Sequence, residues 1–242
     1  MIGIQEGEKA MKIFAYVMTY DTGFAPCVAE GKLTLACCKT NLRYKIGNLF
    51  SGAEELYLLG LCGKTLAEKC GFSKEYFYTP VYVARITDVC KTTDYYSFHR
   101  KIRCDQVYVY DAKKGKWTIG KDNPHHSGSD GKEWDWQTEK DLVYLPRANS
   151  KKGVLNSVLV STDFAHLGKE MCPRNQDLPS FLEKIAKECE KAPRSDHKMF
   201  EPEEEEEVSF KEWFCKNRAK YRKPHFLEPS PNAKPNKRMC KR

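Results

Sequence analysis

The chain has 242 residues, of which 40% are hydrophobic and 12% aromatic, and this apolar content is enough for one core with a small appendage. No stretch approaches the roughly 18–20 uninterrupted apolar residues that a membrane-spanning helix needs. The first residues include acids and lack a long apolar segment, unlike a secretory signal. We therefore expect no membrane association and a cytoplasmic protein, or a nuclear one in a eukaryotic cell.

The formal net charge of +8 is unevenly distributed along the chain. Residues 216–242 contain ten basic residues and one acidic residue, whereas residues 201–215 contain seven acidic residues and one basic residue. The other 200 residues have 30 basic against 25 acidic side chains. This mild positive charge fits a phosphate-bearing partner and equally fits an ordinary solvated surface.

Eleven cysteines are present, and an odd number cannot pair completely within one chain. No C-x-x-C spacing occurs, and adjacent Cys37 and Cys38 point to opposite faces of an extended segment. We predict reduced, mostly buried thiols and no metal site.

The apolar run at residues 11–18 predicts the first strand, and Asp21-Thr22-Gly23 predicts a turn after it. A second extended segment follows at residues 32–38. Further strands are predicted at residues 56–62, 80–89, 106–110 and 158–161. Helices are predicted at residues 65–70, at 178–191 and, from a capping box at Ser209 and Glu212, to about residue 221.

These elements indicate an α+β fold, with a mixed, mostly antiparallel sheet or small barrel and flanking helices. We expect one domain over residues 1–200. Residues 201–242 then form an acidic run, a short helix and a basic tail, and the proline-rich composition from residue 223 predicts disorder. The polar segment 121–132, with His125 and His126, resembles a binding loop or a disordered one.

The triplet Asp21-Thr22-Gly23 also occurs in aspartic proteases, which place two such aspartates together. A single copy is present here, so a turn in which Asp21 hydrogen-bonds its own backbone is the better interpretation. Cys37 or Cys38 is a candidate nucleophile, because a nearby positive charge lowers the pKa of a thiol. A buried cysteine is the alternative.

Several other side chains have more than one interpretation. The histidines at positions 99, 125, 126 and 166 are candidate partners for these cysteines. Asp163 and His166 have the composition of an acid–base pair, or of a turn after a strand. Trp117, Trp134 and Trp136 suit either stacking on bases or a core.

Three sequence blocks together resemble a known family. They are YVMTYDTGFAPC with LTLACCKTNLR, then VYVARITDV followed by Tyr95 and Tyr96, then VLVSTDFAHLG. In this order and spacing, across residues 11–190, they are similar to the second type of nucleotide modification associated domain. The family's pattern falls on a set of residues in the first and third blocks: Asp21, Thr22, Gly23, Ala25, Pro26, Thr34, Ala36, Cys38, Lys39, Arg43, Ser161, Asp163, Phe164 and Gly168. After Arg43 the sequence departs from that pattern, which has a Gly-Asp-Trp-like entry to the next strand.

The resemblance implies a nucleotide or nucleic-acid partner and an association with DNA base modification and phage-related systems. It leaves open whether the protein is an enzyme and which cofactor it uses. Carried onto this chain, it suggests three catalytic candidates, Asp21, Cys38 and Asp163. It also suggests five nucleotide-binding candidates: Thr22, Gly23, Lys39, Arg43 and Ser161.

Three hypotheses follow. The chain is a module that binds a modified base or nucleotide, an enzyme that modifies one through Asp21 and Cys38, or a protein-interaction module. The last rests on the C-terminal helix within residues 201–242, which carries Phe210, Trp213 and Phe214.

Overall fold

A computed structural model describes residues 10–51, 54–97, 103–120, 142–144, 154–174, 176, 178–192 and 197–227. The described residues combine helices with mixed and antiparallel sheets, which confirms the α+β class. No helix within the described ranges is long and apolar enough to cross a membrane.

The described strands are β1 (Met11–Met18), β2 (Cys27–Ala29), β3 (Lys32–Leu35), β4 (Glu55–Cys62), β5 (Pro80–Arg85), β6 (Asp88–Lys91), β7 (Tyr108–Asp111), β8 (Lys116–Ile119), β9 (Val143–Tyr144), β10 (Val154–Leu155), β11 (Ser157–Ser161), β12 (Asp163–His166) and β13 (Lys198–Phe200). The α-helices are α1 (Thr40–Leu49), α2 (Lys64–Lys69), α3 (Thr92–Ser97), α4 (Ser180–Lys191) and α5 (Glu204–Lys220). Two short 3₁₀ helices cover Lys74–Tyr76 and Gly168–Glu170.

The larger sheet has the strand order β12-β5-β4-β1-β13. Its central pair, β1 and β4, is parallel, and the other pairs are antiparallel. Both central strands are almost continuous apolar runs, because a strand with a neighbour on each edge and cover on its faces is buried throughout. Because β1 and β4 are parallel, their C-terminal ends lie at the same end of the sheet.

The smaller sheet has the order β2-β3-β11-β6, and all its pairs are antiparallel. The chain passes between the two sheets twice, from β5 to β6 and from β11 to β12. Ile86 still donates a backbone hydrogen bond to β4, at Leu56, while Thr87 already donates one to β11, at Val160. The predicted single strand at 80–89 is therefore two strands joined at a corner. The described sheets are open, so the mixed, mostly antiparallel sheet is confirmed and the barrel alternative is wrong.

Helix α4 packs against β1, and α5 packs against β12. Phe210 and Phe214 of α5 are buried with their ring centroids 5.0 and 5.3 Å from that of Tyr57 in β4. Two of the three aromatic side chains proposed for a protein-interaction surface are therefore part of the core, and Trp213 is partly buried beside them.

The helix boundaries correct several predictions. The segment after Cys38 is helix α1, which the sequence did not indicate. Helix α5 begins at Glu204, before the predicted Ser209, because Glu203 and Glu206 form the capping box and acidic side chains favour a helix N-terminus. Helix α2 begins after Gly63 without a side-chain cap, so the capping box predicted at Thr65 is wrong.

Residues 223–227, predicted to be disordered, are ordered and pack against the main body through Phe226 and Leu227. The rest of the basic tail, residues 228–242, lies outside the described residues, as do the loop at 121–132, Trp134 and Trp136.

Candidate functional site

The first feature of the site is a buried carboxylate–imidazole pair. Asp21 follows β1, and His166 is the last residue of β12. Both residues are buried, with 1% and 0% of their surface exposed, respectively. Asp21 Oδ1 lies 3.2 Å from His166 Nε2. From the sequence, the candidate partners of His166 were Asp163 and the cysteines. The partner is instead Asp21, in the turn after β1. Asp163 is three residues from His166 on β12 and therefore faces the opposite side of that strand.

Residues 221–227, the C-terminal segment, cover this pair. The backbone N–H of His166 donates to Tyr221 O (2.8 Å), and that of Leu227 donates to Asp21 Oδ2 (2.8 Å). The backbone N–H of His225 donates to His166 Nδ1 at 3.4 Å. In this arrangement Nδ1 accepts, which leaves Nε2 as the ring nitrogen that donates to Asp21.

Two glycines provide space for the C-terminal segment. Gly168 has φ +51°, and a Cβ there would lie 1.7 Å from His225 O. Gly23 has φ +81°, and its Cβ would lie 2.6 Å from the ring of Phe226. The Phe226 ring also contacts His166 edge-on, with 4.9 Å between centroids. A larger residue at Gly168 would collide with backbone and is incompatible with this path of the chain, whereas one at Gly23 would displace the Phe226 ring.

A line of aromatic side chains connects the Asp21–His166 pair to Lys39. The His166 ring lies parallel to that of Tyr82, with 6.3 Å between centroids, and Tyr82 Oη is hydrogen-bonded to Tyr16 Oη at 2.8 Å. Lys39 Nζ lies 4.8 Å from the centre of the Tyr16 ring. Burial, with the neighbouring Tyr16 and Asp21, raises the pKa of Tyr82 well above its ordinary value, so this phenol stays protonated.

The second feature is a cavity of about 190 Å³ on one face of the smaller sheet, which we call the sheet cavity. Thr34, Val160 and Asp88 pair in register across β3, β11 and β6 and form its floor. Helix α3 and the segment before β7 form its wall. The remaining lining residues are Lys32, Cys90, Asp94, Tyr95, Arg103 and Gln106.

A buried polar network fixes the wall of the sheet cavity. Asp105 is fully buried and accepts hydrogen bonds from Thr34 Oγ1 and from Tyr95 Oη, the latter at 2.9 Å to each carboxylate oxygen. Arg103 Nε donates to Tyr95 Oη (2.9 Å), and its Nη atoms donate to Thr34 Oγ1 (2.6 Å) and Ala29 O (2.9 Å). Every member binds another member, as a buried ion pair requires.

The network also fixes protonation states. Burial disfavours the charged form of the Arg103 guanidinium and lowers its pKa. Asp105 and Tyr95 outweigh that effect and raise the pKa of Arg103 above the ordinary value. Burial and the Asp105 carboxylate raise the pKa of Tyr95. Tyr95 therefore presents a neutral, immobilised ring to the cavity.

Two predicted site residues meet at the start of α1: Cys38 precedes the helix, and Arg43 lies in its first turn. Arg43 is buried, and its guanidinium donates to Cys38 O (2.7 Å) and Ser157 O (2.8 Å), which ties this turn to β11. Cys38 is half-buried with φ +60°, and Lys39 has φ +46°. Neither Arg43 nor Cys38 lines the sheet cavity, and their predicted roles stay predictions.

Ser161 and Asp163 lie at the corner between β11 and β12. Ser161 is buried and its hydroxyl donates to Asp163 O at 2.8 Å. The Asp163 carboxylate binds Arg85 Nε (2.8 Å) and Arg218 Nη1 (2.7 Å). Partial burial opposes ionisation, but the two arginines outweigh it and lower the pKa of Asp163. Thr22 lies half-buried between Asp21 and Gly23.

The sequence analysis missed most of the sheet cavity. Of its residues only Thr34 and Tyr95 were noted, both through the family resemblance. The charged pair Arg103 and Asp105, directly before a predicted strand, was the one available signal. His99, His125 and His126 lie outside the described residues. Within the described part of the chain no group of three His, Cys, Asp or Glu side chains is placed to hold a metal ion.

The family model for nucleotide modification associated domain 2 matches residues 10–214. The chain belongs to this family. Comparison with curated proteins and with solved structures found no match. The matched range of the nucleotide modification associated domain includes Asp21, His166 and the sheet cavity, and the C-terminal segment lies beyond it.

Proposed function

We propose that this nucleotide modification associated domain binds a nucleotide through its base, and that the base enters the sheet cavity. The observation that supports this is the combination of a fixed aromatic ring, Tyr95, with two exposed carboxylates, Asp88 and Asp94, around one cavity. Aromatic rings stack on bases without regard to sequence, and carboxylates accept hydrogen bonds from base amino groups.

The charges of the cavity favour a base over a phosphate group. Asp105 neutralises Arg103, whose donors are directed to Tyr95, Thr34 and backbone carbonyls. The rim then has two carboxylates against the single ammonium of Lys32. An anionic phosphate is repelled from this rim, whereas a base that presents amino or other N–H donors is attracted.

The size of the cavity supports a ligand of one ring system. Sites for drug-sized ligands occupy roughly 300–1,000 Å³, and the sheet cavity has about 190 Å³. A base therefore fits with its sugar and phosphate outside. A natural base with an exocyclic amine, or a modified base with an added donor, matches the carboxylate rim.

Calorimetric titration with the four deoxynucleoside monophosphates at low ionic strength tests the proposal. We expect the three with exocyclic amines to bind more tightly than thymidine monophosphate. Asp88→Asn and Asp94→Asn should each weaken binding by roughly 5- to 150-fold, the equivalent of about 1–3 kcal/mol for a well-formed contact to a base. Asp111→Asn, in the β7–β8 turn, is the matched control.

Two outcomes contradict this function. One is the absence of binding by every nucleotide at millimolar concentration. The other is binding that both carboxamide variants leave unchanged, which would place the ligand elsewhere on the chain.

A second candidate, an enzyme that modifies the base, is favoured by the direct contact between Asp21 and His166. A carboxylate that orients an imidazole is a common acid–base arrangement. Of the three predicted catalytic residues, Asp21 is the one in contact with a histidine, while Asp163 is held by two arginines. The C-terminal segment must move before a substrate reaches this pair.

Two truncations test the second candidate. A chain that ends at Lys220 exposes the pair, and a chain that ends at Leu227 removes only residues 228–242 and retains the cover. Acid–base activity at this pair predicts turnover of an oligonucleotide or nucleotide by the shorter chain that Asp21→Asn abolishes. Equal activity of the shorter chain with and without Asp21→Asn would eliminate the role.

A further inference from the structure

Two of the ten cysteines in the described ranges lie in direct contact although 77 positions separate them in sequence. Cys27 begins β2, and Cys104 lies in the segment that forms the wall of the sheet cavity. Their Sγ atoms are 3.2 Å apart. An S–S bond measures roughly 2.05 Å, so the two sulfurs are within a small side-chain movement of bonding distance.

The surroundings hold both thiols in position. Cys104 Sγ lies 2.6 Å from the carbonyl oxygen of Gly23. On the other side, the carbonyl oxygen of Cys27 accepts a hydrogen bond from the buried Arg103 at 3.3 Å. The contact therefore joins the turn after β1, the start of β2 and the cavity wall.

The two thiols differ in accessibility and acidity, as an attacking and a resolving cysteine do. Cys27 is 1% exposed, whereas Cys104 is half-buried. The hydrogen bond with Cys27 lowers the pKa of Cys104 against the effect of burial, and the same hydrogen bond together with burial raises the pKa of Cys27. Thiolate character at the more accessible sulfur is what thiol–disulfide exchange requires.

We propose that Cys27 and Cys104 form a reversible intramolecular disulfide by exchange with a small-molecule disulfide such as glutathione disulfide. The Cys104 thiolate attacks one sulfur of the reagent and releases one thiol, leaving a mixed disulfide on Cys104. The Cys27 sulfur then attacks Cys104 Sγ and releases the second thiol. In sum, the protein loses two protons and two electrons, and the reagent becomes two thiols. This thiol chemistry does not require base binding, although Cys104 lies in the wall of the sheet cavity.

The test incubates the reduced full-length chain with glutathione disulfide, followed by digestion without reductant and mass spectrometry. We expect a linked peptide pair containing Cys27 and Cys104 that dithiothreitol reverses. Cys27→Ser should instead accumulate a glutathione adduct on Cys104, because no resolving thiol remains. Cys215→Ser, which removes an exposed cysteine of α5, is the matched control and should leave the linked pair unchanged.

The result for the wild-type chain does not depend on whether any variant folds. A wild-type chain in which Cys215 takes up glutathione while Cys27 and Cys104 remain unlinked overturns the proposal. A stable glutathione adduct on Cys104 of the wild-type chain overturns it as well, since the adjacent Cys27 would then have failed to resolve it.

Discussion

Replacement of Asp21 by asparagine tests the energetic role of the buried pair. The carboxylate accepts from His166 Nε2 through one oxygen and from the backbone N–H of Leu227 through the other. An amide has one acceptor oxygen, so one of these donors must face the NH₂ group. His166 cannot resolve the conflict by moving its proton, because its Nδ1 accepts from His225.

The magnitude follows from these contacts. A hydrogen bond to a charged group contributes about 1.5–3 kcal/mol, and a buried donor without an acceptor costs about 1–3 kcal/mol. The smaller desolvation cost of a neutral amide offsets part of the loss. We expect Asp21→Asn to lower the free energy of unfolding by about 2–4 kcal/mol.

Urea unfolding followed by circular dichroism measures this loss. Asp111→Asn, in which the side chain still accepts from the turn backbone, should stay within about 0.5 kcal/mol of wild type. In a double-mutant cycle, Asp21→Asn and His166→Gln should be coupled by more than 0.5 kcal/mol, as expected of residues in contact. A loss below about 1 kcal/mol with additive effects would refute the arrangement of Asp21, His166 and the C-terminal segment.

Two further predictions concern the same region. Asp163→Asn removes the negative charge that Arg85 and Arg218 share and leaves one acceptor oxygen for both, so it should cost about 1.5–3 kcal/mol at pH 7. Because the folded-state pKa of Asp163 is lowered, its contribution to stability is present above the ordinary pKa of 3.8 and is lost as the pH falls through the folded-state pKa. If wild type and Asp163→Asn differed in free energy of unfolding by the same amount at neutral and at strongly acidic pH, this prediction would be contradicted. Gly168→Ala should destabilise the fold more than Gly115→Ala. Both glycines have positive φ, but only a Cβ at Gly168 meets backbone, at His225 O. Thermal unfolding of both variants measures the difference, and equal losses of stability would show that the C-terminal segment does not restrict position 168.

Local patterns along the chain determined the class of the fold. Strands β1 and β4 were predicted from their apolar runs, and helix α4 from its amphipathic pattern. Neither prediction needed information from the rest of the chain, because burial sets the order of apolar and polar residues within each element. The family motif likewise identified the turn at Asp21 as part of a nucleotide modification associated domain. The acidic run was a weaker guide: it was predicted to precede the helix, but it forms the first turn of α5, because acids stabilise a helix N-terminus.

Only the tertiary structure decided which side chains meet. Asp21 and His166 are 145 positions apart, and Leu227 reaches Asp21 from a segment whose composition predicted disorder. Thr34, Tyr95 and Asp105 likewise converge from separate elements at the sheet cavity. A sequence records which groups are available and their local spacing, whereas convergence depends on strand register and on the corner between the two sheets. For this reason the sequence located the region of the site through Asp21, and the structure supplied both its histidine partner and the sheet cavity.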